Sequence, residues 1–330
     1  MNRKIIIILS LAGSLFFTAC QKDINVFVPD AGQLNAPDTA WYATITTTMP
    51  VATLQTNLLI EPVRDSFEIV SSTAAPSVTA GGILYTFSPL CCVNTAGQIV
   101  TGKIHVELFI IKKKGDMVLM NKPTTSNGNM LVSAGEIFVR LMKDSQEVQL
   151  APNAKIQIRY VDLPTNTAMK LFFGQELSTG FNWLPNTDTA NTANNFVYIT
   201  PQVYEIVTNH LHWINLDYFY DTAGVARSTV STRLPSNYTN ANTTAFLVFK
   251  EIRSVLRMNA DVPERRFISG KVPNGKTATV VVISKQGNDY FLGKESLTTG
   301  TNVNAAGNQN VTVTPVKTTL ADIKTYLATL

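Results

Sequence analysis

Side chains able to do chemistry are sparse in this sequence, so each can be weighed individually. The three histidines are His105, His210 and His212. His105 falls on the polar face of an alternating segment and reads as a solvated imidazole. His210 and His212 flank Leu211 in "HLH". In an extended strand residues i and i+2 share a side, and two imidazoles so placed could hold a metal with one further ligand such as Asp217. The preferred reading is two ordinary side chains beside a packed Trp213, and no metal ligand is assigned. Cys91 and Cys92 are adjacent in "FSPLCCVNTAG". Neighbouring cysteines seldom bridge, because disulfide geometry strains the peptide between them. A soft-metal site would want more thiols than this chain has. Both are expected to pack as small hydrophobes. The sequence contains no H-E-x-x-H, G-x-S-x-G or G-x-G-x-x-G, so three reaction classes lose their usual sign. Carboxylate-only hydrolysis needs no fixed spacing, but no acidic constellation stands out. No catalytic residue and no cofactor is assigned.

The third cysteine is Cys20. Arg3 and Lys4 precede an apolar run from Ile5 to Phe17, and the small residues Thr18 and Ala19 come just before the thiol. A positive start, a short apolar core and small residues form a secretory signal. The run is too short to cross a bilayer, which takes about 20 apolar residues. Phe17-Thr18-Ala19-Cys20 resembles the lipobox of bacterial lipoproteins, with Phe17 where leucine is usual. The resemblance implies cleavage after residue 19 and lipidation of Cys20. One acyl chain holds a protein at a membrane only marginally, whereas two or three hold it stably.

The elements that follow must be mostly strands. Charged residues make up 15% of the 330, and Thr, Asn, Val and Ala are abundant, which favours strands and polar turns over surface helices. Removing Arg3 and Lys4 from the 27 cationic residues leaves 25 against 23 acidic ones, so binding of nucleic acid has no electrostatic motive. Residues 20–40 read as a lipidated tether. An N-terminal β region is expected over 41–163, beginning with alternation in "WYATITTT" and passing through a loop at 71–82. In "TGKIHVELFIIKKKGD" Ile104, Val106, Leu108 and Ile110 share one face, and Lys103, His105, Glu107 and Phe109 the other. Ile137, Val139 and Leu141 repeat the pattern, as do Ile156, Ile158 and Tyr160. One face of each strand should be core and the other mostly wet. A middle region, 164–243, is rich in Asn, Thr and aromatics. A C-terminal sandwich is expected over 244–330, with a hairpin at Gly287-Asn288 and a short helix after Thr319, capped with the help of Asp322. The fold class is therefore mainly β, tandem β-sandwich modules with a short C-terminal helix.

Residues 96–160 resemble a module of surface lipoproteins from Bacteroidetes, itself similar to the ZU-five β-sandwich of ankyrins and netrin receptors. The match rests on the Val100-Thr101-Gly102 turn, Asp116-Met117, "TTSNG" at 124–128, and Gly135 opening a strand. Looser likeness extends to "LFFGQELSTGFNW", "HWINLDYF" and "VPNGKTATVVVISKQGNDYFLGKES". Cys91 and Cys92 depart from it, standing where that family carries small or apolar residues. The resemblance implies a sandwich fold and an envelope address, and no activity.

Trp183, Trp213, Tyr218, Phe219 and Tyr220 could form a stacking platform for sugars, but such residues more often pack. Asp-Thr-Ala occurs at 38–40, 188–190 and 221–223 and resembles an acceptor for Bacteroidetes O-glycosylation, making Thr39, Thr189 and Thr222 candidate modification sites. The reading is a non-enzymatic, lipid-anchored envelope protein at the outer membrane or cell surface. Its expected partners are the membrane, through the anchor, and an envelope protein or glycan. The alternative is a glycan-active hydrolase using acidic residues.

Overall fold

The fold is that of a computed structural model, which describes residues 39–177, 180–187 and 194–330. The expected signal, the anchor Cys20, all but the end of the tether, and Thr189 lie outside the described residues. The protein is mainly β, as its composition predicts.

The first sheet runs in spatial order β1 (Val63–Ile69), β5 (Gly102–Ile111), β7 (Asn129–Lys143), β14 (His212–Phe219), β10 (Lys170–Leu177) and β11 (Gly180–Pro185). Short strands β4 (Cys92–Val93), β6 (Thr125–Ser126) and β8 (Gln146–Leu150) attach at its margin. The second sheet is ordered β12 (Phe196–Ile199), β13 (Tyr204–Thr208), β9 (Ile156–Tyr160), β3 (Ile83–Phe87), β2 (Ser77–Ala80). The two sheets face each other over a core that includes Ile104, Val106, Leu108, Ile137, Val139, Leu141, Ile156, Ile158 and Tyr160. Period-2 alternation located this core correctly, because a one-residue slip would turn every one of these side chains outward.

The C-terminal part is one continuous ladder: β19 (Val272–Pro273), β15 (Arg227–Arg233), β18 (Arg266–Ile268), β17 (Val255–Asp261), β16 (Thr243–Phe249), β20 (Thr277–Gln286), β21 (Asp289–Thr298) and β23 (Val316–Thr318), with β22 (Asn308–Thr312) parallel to β15. It encloses its own core of Val230, Leu247, Phe249, Leu256, Phe267, Val280 and Val282. The Gly287-Asn288 hairpin is present, pairing Gln286 with Asp289. The middle stretch contributes strands to all three sheets.

Three short helices, α1 (Pro50–Leu58), α2 (Lys114–Leu119) and α3 (Leu320–Leu327), lie on a further core between the first sheet and the C-terminal ladder. Thr319 caps α3, its hydroxyl accepting from the Asp322 amide at 3.0 Å. This third core buries Trp183, Trp213, Phe246, Val281, Ile323 and Leu327. It covers the face of β5, β7 and β14 that alternation predicts to be mostly wet. Phe109 and Phe138 pack against it, each in ring contact with Trp213.

Two local expectations are corrected. "WYATITTT" forms no strand; its backbone is held by Asn240, which accepts from Tyr42 N at 3.0 Å and donates to Tyr42 O at 2.6 Å, while Trp41 rests on Phe267. Within the loop predicted at 71–82, residues 77–80 form an edge strand because Val78 and Ala80 bury themselves in the sandwich core.

Candidate functional site

The outward face of β7 and β14 carries an unusual polar row. Glu136 and Asn215 are directly paired across the two strands, and a bulge beyond Leu216 sets Asp217 opposite Ser133. All four are buried. The Asn215 amide donates to Asp217 Oδ2 at 2.7 Å, and Ser133 donates to Asn215 Oδ1 at 3.0 Å. Neither oxygen of Glu136 has a hydrogen-bond partner. Burial, reinforced by the nearby charge of Asp217, pushes the Glu136 carboxyl well above the usual range, so it holds its proton. Burial raises Asp217 to about 7, against hydrogen bonds from Ser133 and Asn215. Below this row Arg253 reaches across to bond Asp162 Oδ2 at 2.8 Å and the carbonyl of Ala134, linking the C-terminal ladder to both sheets of the sandwich. These carboxyls line neither of the cavities described next.

Two cavities, of about 630 and 380 Å³, meet at Arg257. Arg257 stands on β17 opposite Phe246, on the side of the ladder that faces the third core. Arg257 lines both cavities, and its guanidinium lies against Gly180, where an added Cβ would come within 3.2 Å of Nη1. Among the described residues no hydrogen-bonding or oppositely charged side chain pairs with it; burial alone lowers its pKa. It nevertheless stays protonated, since arginine ionises far above neutral pH.

Its neighbour Lys122 contrasts with it. Lys122 is 8% exposed, donates to Glu176 Oε1 at 2.5 Å and lies 3.9 Å over the Phe181 ring. Its charge is answered twice. The smaller cavity is walled by amides: Asn127, Gln175, Asn182 and Asn259 all line it. Asn127 and Asn182 are locked together, Asn182 Oδ1 accepting from Asn127 N at 2.8 Å and its Nδ2 donating to Asn127 Oδ1 at 3.0 Å. Glu176 is the single carboxylate on the larger lining among the described residues, and the smaller lining has none. The arrangement can hold an anion and form hydrogen bonds around it, but it offers no acid and base pair.

The residues singled out from sequence lie elsewhere. Trp183 and Trp213 are core, and neither exposes a face for stacking. His212 Nε2 lies 2.5 Å from Glu147 Oε1 and its ring stacks on Phe138, while His210 stacks on Phe173 at 3.9 Å. Asp217 belongs to the buried polar row, so the postulated His210, His212 and Asp217 set does not assemble. Cys91 and Cys92 are both fully buried in the sandwich core, unbridged, as expected of small hydrophobes. Thr39 is exposed, and Thr222 sits half-buried in a turn closed by Asp221, whose Oδ1 accepts from Ala223 N at 2.8 Å. Sequence reasoning missed Arg257 and Glu136, neither of which carries a motif.

Fold and site together define a mainly β, sandwich-type protein with a cationic, amide-lined cavity pair between its two lobes. No protein-family model matches the chain, and no curated protein matches it.

Proposed function

We propose that this protein is a lipid-anchored envelope protein that binds rather than transforms its ligand. The address rests on the lipobox-like sequence ending at Cys20. The observation supporting binding is the composition of the cavity pair. Arg257 and four amides supply recognition, while Glu176, the one carboxylate of the linings among the described residues, is committed to Lys122. Carboxylate hydrolysis of glycans needs two acidic groups flanking the scissile bond, and Glu136 and Asp217 stand away from this space.

The test has two readouts. In a native-type host the protein should incorporate labelled palmitate and sediment with outer membranes, and Cys20→Ala should do neither. The purified protein should release no reducing ends from a glycan array. Labelling of the Cys20→Ala variant would overturn the anchor, and turnover of any glycan would overturn the binding reading.

A further inference from the structure

Among the described residues Arg257 is a half-buried cation with no charged or hydrogen-bonding partner, placed where two cavities meet. An enclosed guanidinium without a counterion is costly, because its lost hydration is not replaced. The other enclosed cations are answered: Arg253 by Asp162, Lys122 by Glu176, and Arg266 by Asp261. Gly180 leaves room beside the guanidinium that any larger residue would take, and its φ of +149° is one that side-chain-bearing residues rarely adopt.

We propose that the Arg257 cavity pair is a binding site for an acidic saccharide, with the guanidinium fork taking a carboxylate or sulfate and the surrounding amides taking the sugar hydroxyls. This deepens the binding reading above and rests on it.

Two features select the class. A guanidinium binds planar or tetrahedral oxyanions in bidentate fashion, which accounts for the acid. Sugar hydroxyls both donate and accept, and side-chain amides do the same. Asn127, Asn182, Asn259 and Gln175 line the space beside the guanidinium. A nucleotide would want an open aromatic face for its base, and in the smaller, amide-lined cavity the one aromatic among the described lining residues, Phe181, has its face occupied by Lys122 Nζ. Asn259 follows Arg257 by two residues on the same strand, so both side chains project to one side of the ladder. It is exposed, which makes it a site for perturbation without disturbing the core.

The experiment uses the lipid-free mature protein in calorimetric titrations. The probes are galacturonate, glucuronate, sialylated and sulfated oligosaccharides, each beside its neutral counterpart, with sodium sulfate and an acidic peptide as separate arms. At least one acidic saccharide should bind more tightly than its neutral counterpart. That affinity should fall about tenfold or more in Arg257→Gln, as expected for loss of a charge-assisted pair. Asn259→Asp, which places a carboxylate beside the guanidinium from an exposed position, should abolish it without lowering the melting temperature. Arg233→Gln, on the surface pair with Glu264, should leave binding intact.

Equal binding of acidic and neutral forms would overturn the proposal, as would binding that survives both variants. Saturation by sulfate alone at the same affinity, or preference for the acidic peptide, would overturn the saccharide. Each of these leaves the palmitate and turnover results untouched, so failure here is distinct from failure of the binding reading.

Discussion

Asn215 donates its side-chain amide to Asp217 at 2.7 Å across a bulge in a strand buried on both faces. That bond favours the ionised carboxylate, yet burial outweighs it and raises Asp217 from 3.8 to about 7. A carboxyl with a raised pKa binds its proton more tightly in the folded than in the unfolded state. The contribution of Asp217 to stability should therefore fall as pH rises from about 4 to about 7, and level off above. The expected loss is of the order of a few kcal/mol. Glu136 acts with the same sign. Glu107 and Asp322, whose pKa values are lowered by hydrogen bonds from Arg140 and Thr319 respectively, act with the opposite sign at lower pH. Urea midpoints from pH 5 to 8 should decline for the native protein and decline much less for Asp217→Asn. Parallel slopes in the two proteins would show that Asp217 is not the titrating group.

Gly115 opens onto the end of α3, where an added Cβ would lie 1.8 Å from the Leu327 carbonyl oxygen. Backbone cannot yield as a flexible side chain can. Gly115→Ala should cost about 2 to 4 kcal/mol, in the range of overpacked and strained sites, and should raise amide exchange over residues 320–330. Gly270→Ala, whose Cβ would meet nothing nearer than 3.7 Å, should be close to neutral. Equal stability of the two variants would mean that α3 is not held against Gly115.

Cys91 and Cys92 place their sulfurs 3.4 Å apart, well beyond a disulfide bond of about 2.05 Å. The hydrogen bond between them, with burial, raises the Cys92 thiol far above its ordinary pKa and lowers that of Cys91, so what keeps a reagent from both is their complete burial. A maleimide should label neither thiol in the folded mature protein at pH 8 and both in concentrated urea. Rapid labelling without denaturant would place these residues outside the core.

The strands of the first core were legible in sequence because Ile104, Val106 and Leu108 alternate with polar residues and need only one packing partner. Glu136 was not legible. It stands between Gly135 and Ile137 where alternation assigns solvent, and that face is covered by a core whose members Phe246 and Val281 lie more than a hundred residues away. A trace did exist, since Phe109 and Phe138 occupy the supposedly wet side of their strands and Trp213 was expected to pack. Large aromatics there imply a cover. Arg257 gave no trace at all. In "VLRMNAD" it reads as an ordinary strand cation, and only the lack of an ion-pair or hydrogen-bond partner among the described residues makes it distinctive.

Lys324 Nζ bonds the carbonyl of Leu59 across 265 residues of sequence, at 3.2 Å, and Leu54 and Leu58 share a core with Ile323 and Leu327. Contacts so distant in sequence close late, because the intervening chain must first be ordered. During synthesis, the strands up to residue 219 can pair and build the first sandwich while its second face, with Phe109 and Trp213, still lies bare. That face is sticky until α3 has been made. A polypeptide with such a timetable leaves those aromatics uncovered until the last segment of the third core has been made.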